Sequence, residues 1–185
     1  MNLKQLISIT ISKLAIIVLR LLRRGGTTLP GKLALKIYPG ILKSIASNFD
    51  VIMVTGTNGK TTTTRIIEEV LKNNNVDYIT NKSGANLLSG ITTIFIQAVT
   101  LTGRPRHQVA LIESDEAAFN QVTKHLQPKA VVVTNFFRDQ LDRYGELYST
   151  LNAVKSGLER IDDSTTLILN ADDSMCASLG RNTQK

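Results

Sequence analysis

The chain has a single cysteine, Cys176, no tryptophan, and only 5% aromatic residues. One cysteine excludes an internal disulfide and any metal site built from several cysteines. Scarce aromatic residues and the lack of any RNA- or DNA-reading motif argue against a nucleic-acid partner. The net charge of +7 nevertheless favours polyanions such as nucleotides or an anionic membrane face. No acidic residue precedes Asp50, so much of the positive charge lies near the N-terminus.

The N-terminal segment lacks a run long enough to span a membrane, because Lys13 and Arg20 close the apolar run between them. No cleavage signal follows, so a signal peptide is not expected. On a helical projection the segment is amphipathic. It could dock on its own domain or lie as a peripheral contact on an anionic membrane surface. Its apolar side carries Leu3, Ile7, Leu14, Val18 and Leu21, opposite Lys4, Ser8, Ser12, Lys13, Arg20 and Arg24.

The stretch 51–64 has the order of a nucleoside-triphosphate phosphate loop: a β-branched run, a glycine turn and a helix-compatible segment. Gly56 and Gly59 allow the backbone to bend close to phosphate oxygens. Lys60 can reach the terminal phosphates, and the Thr61 hydroxyl can bind Mg²⁺. The pattern is a shortened variant, since Val54 stands where another glycine is usual, and the alternative is a glycine-rich turn without special function. The predicted ATP-binding residues are Gly56, Thr57, Asn58, Gly59, Lys60, Thr61 and Thr62.

The remaining pattern predicts an α/β fold, in which a P-loop-containing parallel sheet is flanked by helices and preceded by the N-terminal amphipathic helix. Residues 1–48 are expected to form the N-terminal helix and linker, and residues 49–185 an ATPase domain. No closing element is expected after Asp173. Strands are predicted at 51–55, 76–80, 109–113, 130–135 and 166–170. Helices are predicted at 60–73, 91–102, 116–125 and 146–159, with a shorter, interrupted helical region at 33–45.

Glu113 ends an apolar strand, and a carboxylate at that point can bind Mg²⁺ directly or through water. We therefore predict that Glu113 and Lys60 are the catalytic residues and that Thr61 and Glu113 are the metal ligands. The alternative for Glu113 is an acid at a strand-to-helix turn without a ligand, and Ser114 is a candidate helix cap. Polar side chains that end predicted strands, and so can face a ligand, are Thr55, Thr80, Glu113, Asn135 and Asn170.

Several segments together resemble the central ATPase domain of the Mur ligase family, and within it the MurT-type branch of lipid II isoglutaminyl synthase. The family resemblance rests on the phosphate loop 56–61, Glu113 and residues 135–145 and 170–173. The phosphate loop alone is shared by every ligase of the family, and the closer match to the MurT-type branch rests on residues 24–32, 83–86 and 137–143. Gln140 stands where most members carry a metal-binding histidine, a change typical of the MurT-type branch. Lys155 falls near a lysine that is carbamylated in several members, and here we expect an ordinary helix lysine.

The resemblance implies an ATP- and Mg²⁺-dependent ligase that amidates the D-glutamate carboxylate of lipid II through an acyl phosphate. A GatD-type glutaminase subunit would supply ammonia, docking on a C-terminal domain that follows a four-cysteine zinc ribbon. Because the sequence has one cysteine and ends at Lys185, we expect neither the zinc ribbon nor the C-terminal domain within it. We therefore expect these residues to be an N-terminal portion that is inactive alone. The ATP motif and scarce cysteine fit the cytoplasm.

Two other functions stay open at this point. One is another ligase of the same family, such as a folylpolyglutamate synthase. The other is a non-catalytic nucleotide-binding module, which would bind ATP without turning it over. A nucleic-acid-dependent ATPase would need stimulation by polynucleotide, and no feature of the sequence calls for it.

Overall fold

The computed structural model describes residues 2–23, 28–81, 85–137 and 146–181. Strands and helices alternate through these ranges after three N-terminal helices. The strands are β1 (Asp50–Thr55), β2 (Tyr78–Thr80), β3 (Val109–Glu113), β4 (Ala130–Val133) and β5 (Thr166–Leu169). The helices are α1 (Leu3–Leu21), α2 (Leu29–Ile37), α3 (Ile41–Ala46), α4 (Lys60–Asn73), α5 (Leu88–Ala98), α6 (Glu116–Val122), α7 (Glu146–Leu158) and α8 (Ser174–Arg181).

The strands form one parallel sheet in the order β2-β3-β1-β4-β5, which confirms the predicted α/β class. Met53 of β1 lies in register between Ile112 of β3 and Val131 of β4. Since β1 is the central strand, the loop that follows it is flanked by the carboxyl ends of β3 and β4. This is the edge at which ligands bind in open parallel sheets.

Helices cover both faces of the sheet. The connection through α4 runs from β1 past β3 to β2, whereas the connection through α6 runs the opposite way, from β3 past β1 to β4. Because parallel crossovers are right-handed, α4 and α6 lie on opposite faces. The main hydrophobic core is on the α6 face, where alternate strand residues pack with side chains of α1, α2, α3, α5, α6 and α7. These strand residues include Val51, Met53, Ala110, Ile112, Val131 and Val133.

The N-terminal helix does dock on its own domain, but with the opposite face from the one its sequence suggests. It packs on α2 and α5, and its buried positions include Gln5, Ser8 and Ser12 beside Ile9 and Ile16. The apolar side points outward. Among the described residues, no helix is both long and apolar enough to cross a membrane.

Helix caps account for two differences from the sequence analysis. Asp115, and not Ser114, caps α6, because its Oδ1 accepts hydrogen bonds from the N–H groups of Ala117 and Ala118. Helix α8 was not expected at all. It follows Asp173, whose Oδ1 accepts a hydrogen bond of 2.7 Å from the Cys176 N–H.

The predicted element bounds are otherwise close, but several differ: β2 begins only at Tyr78, α6 ends at Val122, and α5 and β4 also depart from their predicted bounds. Helix α5 begins at Leu88 and ends at Ala98, because Val99 adopts an extended backbone and pairs with Pro105. Strand β4 ends at Val133, which leaves Thr134 and Asn135 in the loop that follows it. Helix α4 spans the same residues as its prediction.

Candidate functional site

The loop between β1 and α4 depends on two glycines with positive φ. Gly56 has φ +122° and Gly59 has φ +81°, conformations that other residues adopt only at a cost. A Cβ atom at Gly56 would collide with the Thr134 hydroxyl and lie 2.9 Å from the Asn135 carbonyl oxygen, whereas Gly59 has open space around it. Gly59 is the N-cap of α4, so the helix starts at Lys60. Its first N–H groups have no partner within the helix.

Lys60 folds back over the loop that precedes it. Its Nζ donates hydrogen bonds to the carbonyl oxygens of Gly56 and Thr57, and it forms an ion pair of 3.0 Å with Glu116 Oε2. The two charged side chains are only 13% and 16% exposed. An ammonium group is therefore held inside the loop, beside the start of α4.

Thr61 and Glu113, the two predicted metal ligands, lie in direct contact. The Thr61 hydroxyl is 3.0 Å and 3.2 Å from the two carboxylate oxygens of Glu113. One hydroxyl and one carboxylate are hard oxygen donors of the kind that Mg²⁺ prefers, with water and phosphate oxygens completing its shell. Among the described residues, no cluster of three or more histidine, cysteine or acidic side chains could hold a metal.

A buried amide fixes the end of the strand that carries Glu113. The Asn81 side chain accepts a hydrogen bond from the Glu113 N–H at 2.8 Å and donates one to the Glu113 carbonyl at 2.7 Å. It also donates to the Ala85 carbonyl. Asn81 thus links β2 to β3 and is only 6% exposed.

On the other flank, residues that follow β4 hold the loop backbone. The Asn135 side chain accepts a hydrogen bond from the Asn58 N–H and donates one to the Asn58 carbonyl, each at 3.0 Å. The Thr57 N–H donates to the Asn135 carbonyl at 2.8 Å, and the Thr134 hydroxyl donates to the Asn58 carbonyl at 2.7 Å. The N–H groups of Thr57 and Asn58 are therefore already paired within the protein. The N–H groups of the first turn of α4 have no partner within the helix and are the donors left for a ligand.

Asp173 connects this flank to α8. Besides capping the helix, its Oδ2 accepts a hydrogen bond from the Phe136 N–H at 3.0 Å. Cys176 is buried next to it, its thiol donates to the Val133 carbonyl, and burial raises the pKa of the Cys176 thiol. The thiol is consequently a packing group at neutral pH.

A cleft of about 390 Å³ continues from the loop along β4 and β5. Asn58, Gly59 and Thr63 form its loop side, and the ends of the two strands form its floor. Asn170 lies at its rim, where its Oδ1 accepts a hydrogen bond from the Asp172 N–H. The cleft is open to solvent and adjoins the loop without a barrier.

Several predicted residues lie outside this site. Thr55 is fully buried, so its side chain does not reach the crevice, and Thr80 lines a separate groove beside α5. Lys155 is a partly exposed residue of α7. Gln140 and the whole of residues 82–84 and 138–145 lie outside the described residues.

Three residues contribute to the site although no sequence pattern pointed to them: Glu116, Thr134 and Asp173. The pairing of Glu116 with Lys60 spans 56 residues of sequence. Thr134 and Asp173 act through backbone groups of other segments. A contact of this kind leaves no local pattern in a single sequence.

With this geometry in view, the family model of the Mur ligase middle domain matches residues 54–185. The MurT subunit of lipid II isoglutaminyl synthase (glutamine-hydrolyzing) from Streptococcus pneumoniae R6 is 41% identical over 176 residues, which is 95% of this chain and 38% of that protein. The chain thus spans about two fifths of the length of the curated relatives it matches.

Solved structures agree on the fold. MurF from Acinetobacter baumannii superposes with a TM-score of 0.67 at 20% identity, over 80% of this chain and 32% of that one. MurF ligase from Thermotoga maritima in complex with ADP gives a TM-score of 0.64 at 18% identity, over 80% and 35% of the two chains. At such identities the likeness concerns the arrangement of strands and helices.

Proposed function

Because this chain belongs to the Mur ligase family, we propose that it is the ATP-binding part of an amide-forming ligase in peptidoglycan biosynthesis. The identity with a subunit of lipid II isoglutaminyl synthase supports this member of the family over a folate-type ligase. One observation carries the proposal: Lys60 and the contacting pair Thr61 and Glu113 lie at a glycine loop that follows the central strand of a parallel sheet.

The proposed reaction joins ammonia to the D-glutamate carboxylate of the lipid II stem peptide. A carboxylate oxygen attacks the γ-phosphorus of ATP, the bond between that phosphorus and the β,γ-bridging oxygen breaks, and ADP leaves. Ammonia from a GatD-type glutaminase subunit then attacks the acyl carbon, and phosphate leaves as the amide forms and a proton passes to solvent. Such transfers need alignment and charge neutralisation more than covalent help from the protein.

Lys60 is proposed to supply the first positive charge. In the structure its Nζ is bonded to loop carbonyls and Glu116, and phosphate oxygens can replace these partners with little movement of the backbone. The N–H groups of the first α4 turn add hydrogen bonds and a partial positive charge. Together these groups hold the terminal phosphates in one orientation.

Thr61 and Glu113 are proposed to hold Mg²⁺, because their oxygen atoms already converge and match its preference for hard ligands. When bound, Mg²⁺ supplies positive charge that offsets the charge of the phosphates. Asn81 keeps the backbone of Glu113 in place for this role through its two hydrogen bonds.

The nucleoside of ATP is proposed to occupy the cleft of about 390 Å³ along β4 and β5. The cleft begins at Asn58 and Gly59, so a chain of phosphates on the loop leads directly into it. Val132 and Ile168 offer apolar contact to a flat base, and Thr134 and Asn170 offer polar groups for specificity.

We also propose that residues 1–48 form an N-terminal helical segment and residues 49–185 the ATPase portion, working in the cytoplasm. The 185 residues alone are proposed to bind nucleotide without completing the reaction, because the acceptor and ammonia sites would come from further parts of the enzyme.

The test is isothermal titration calorimetry of the chain with Mg-ATP, followed by turnover measurements on the full-length enzyme with its glutaminase subunit. Lys60→Ala should weaken Mg-ATP binding at least tenfold and reduce turnover by about 10²-fold or more. Lys72→Ala is the matched control, because Lys72 lies on the same helix and pairs with Glu69 away from the loop.

Wild-type binding and turnover in the Lys60→Ala enzyme would refute the proposal. Normal binding with no hydrolysis by any length of the wild-type protein would instead identify a non-catalytic nucleotide-binding module.

A further inference from the structure

The N-terminal helix α1 is bound to the protein through a face that is largely polar. Ser8 and Ser12 are fully buried, and Gln5 is 9% exposed. The Ser8 hydroxyl donates to the Ala34 carbonyl of α2 at 3.1 Å, and Lys13 Nζ donates to the Val99 carbonyl at 2.7 Å. Only Ile9 and Ile16 of this face join the hydrophobic core.

The opposite face of α1, here called the outer α1 face, is exposed and almost wholly apolar. Its members are between 41% and 78% exposed. At 100° per residue they cover roughly 140° of the helix circumference. A soluble domain rarely leaves a contiguous apolar surface of this kind without a binding role. The members are Leu3, Ile7, Ile11, Leu14, Ile17, Val18, Leu21 and Leu22.

The charge around the outer α1 face has one sign. Residues 1–49 contain lysine and arginine but no aspartate or glutamate. Lys4, Arg20 and Arg23 are exposed at the ends of the helix, and Lys32 and Lys36 are exposed on the neighbouring α2. An apolar face bordered by cations complements a surface that is apolar inside and anionic outside.

A second copy of the chain fits this face less well than lipid. In a coiled-coil heptad labelled a to g, Ile11 and Val18 would occupy position a, and Leu14 and Leu21 would occupy position d. The flanking e and g positions would then be Thr10, Ala15, Ile17 and Leu22, none of which carries the charge that sets pairing in coiled coils. The apolar surface is also wider than a two-position seam, as in helices that lie within a membrane interface.

We propose that the outer α1 face is a docking surface for an anionic lipid bilayer, on which the helix lies flat while its other face stays packed on α2 and α5. The hydrogen bonds of Ser8 and Lys13 hold the helix in the orientation that presents its apolar side. This inference rests on the surface of α1 and is independent of the nucleotide chemistry proposed for the loop.

The experiment is flotation of the 185-residue chain with vesicles of phosphatidylcholine, with and without one quarter phosphatidylglycerol. The chain should float with the anionic vesicles, and 0.5 M salt should reduce the bound fraction. The triple change Ile7→Gln, Leu14→Gln and Val18→Gln should weaken binding at least about tenfold, since three apolar side chains no longer enter the lipid.

The control is the double change Ile66→Gln and Val70→Gln, which removes two similarly exposed apolar side chains from α4 and should leave flotation unchanged. Circular dichroism checks that both proteins fold.

Equal flotation of the triple variant and the wild type would overturn the proposal, as would equal binding to neutral vesicles. A dimer in sedimentation velocity that the triple change disrupts, without flotation of the wild type, would assign the face to a second copy. Mg-ATP titration of the triple variant should match the wild type, which separates this test from that of the proposed function.

Discussion

The loop between β1 and α4 is held in different ways on its two flanks. On the β4 flank, Thr134 and Asn135 form hydrogen bonds with the backbone of Thr57 and Asn58. On the β3 flank, Glu113 and Glu116 contact the side chains of Thr61 and Lys60. The first set uses neutral groups that a ligand has no reason to displace. The second uses the groups proposed to bind phosphate and Mg²⁺. One flank therefore fixes the backbone of the loop, and the other places charged side chains beside it.

The strongest way to break the β4 flank is Gly56→Ala. Its Cβ would collide with Thr134 and lie within 3.0 Å of the Asn135 backbone, at a φ of +122°. We expect the free energy of unfolding to fall by about 3 kcal/mol or more, from backbone strain and overpacking together. Urea unfolding followed by circular dichroism measures this change.

Gly59→Ala is the matched control for that experiment. Gly59 also has a positive φ, of +81°, but nothing lies within 4 Å of its added Cβ. The free energy of unfolding of Gly59→Ala should therefore fall only by the cost of backbone strain, about 1 kcal/mol. Equal losses at the two glycines would mean that the packing of Thr134 and Asn135 against the loop contributes little.

Asn135→Ala should have a smaller effect on the same flank. It removes both side-chain hydrogen bonds to Asn58, an exposed residue whose backbone groups can bond to water instead. We expect a loss of about 1 kcal/mol in unfolding free energy. Mg-ATP affinity should fall as well, because the loop must be ordered when the ligand binds.

The control for Asn135→Ala is Asn74→Ala, which removes one side-chain hydrogen bond to the Val70 carbonyl at the far end of α4. It should lower stability by a similar or smaller amount and leave the titration with Mg-ATP unchanged. If both variants bind nucleotide as the wild type does, the Asn135 brace has no part in ordering the loop.

The two flanks also differ in how well the sequence predicted them. The loop glycines, Lys60, Thr61 and the strand that ends at Glu113 follow a local order of residues, so their elements and the sheet could be predicted. The partners of the loop could not, because Asn135 and Glu116 reach it across 77 and 56 residues of sequence. The order of the strands decides which side chains lie beside the loop. A local pattern of residues does not specify that order.

The N-terminal helix shows the same limit in another form. Its amphipathic pattern predicted a helix correctly, and the sequence left open whether it docks on the protein or on a membrane. In the structure the side that carries Ser8 and Ser12 is buried, and Ser8 and Lys13 donate hydrogen bonds to carbonyl groups of α2 and of Val99 after α5. The hydrophobic periodicity thus identified the apolar face of the helix, but it did not determine which face packs against the rest of the protein.

Glu116→Gln tests the β3 flank and has the smallest expected effect. The substitution keeps the shape of the side chain and removes the negative charge 3.0 Å from Lys60 Nζ. If Glu116 competes with phosphate for Lys60, Mg-ATP should bind about three- to tenfold more tightly, an effect of about 1 kcal/mol that one partly screened charge can supply. Glu69→Gln removes the same charge from an exposed pair with Lys72 on α4 and should leave the affinity unchanged. Weaker binding by Glu116→Gln would reverse the assignment and make Glu116 a positioning residue that presents Lys60 to the phosphates, and the β3 flank would then support the loop as the β4 flank does.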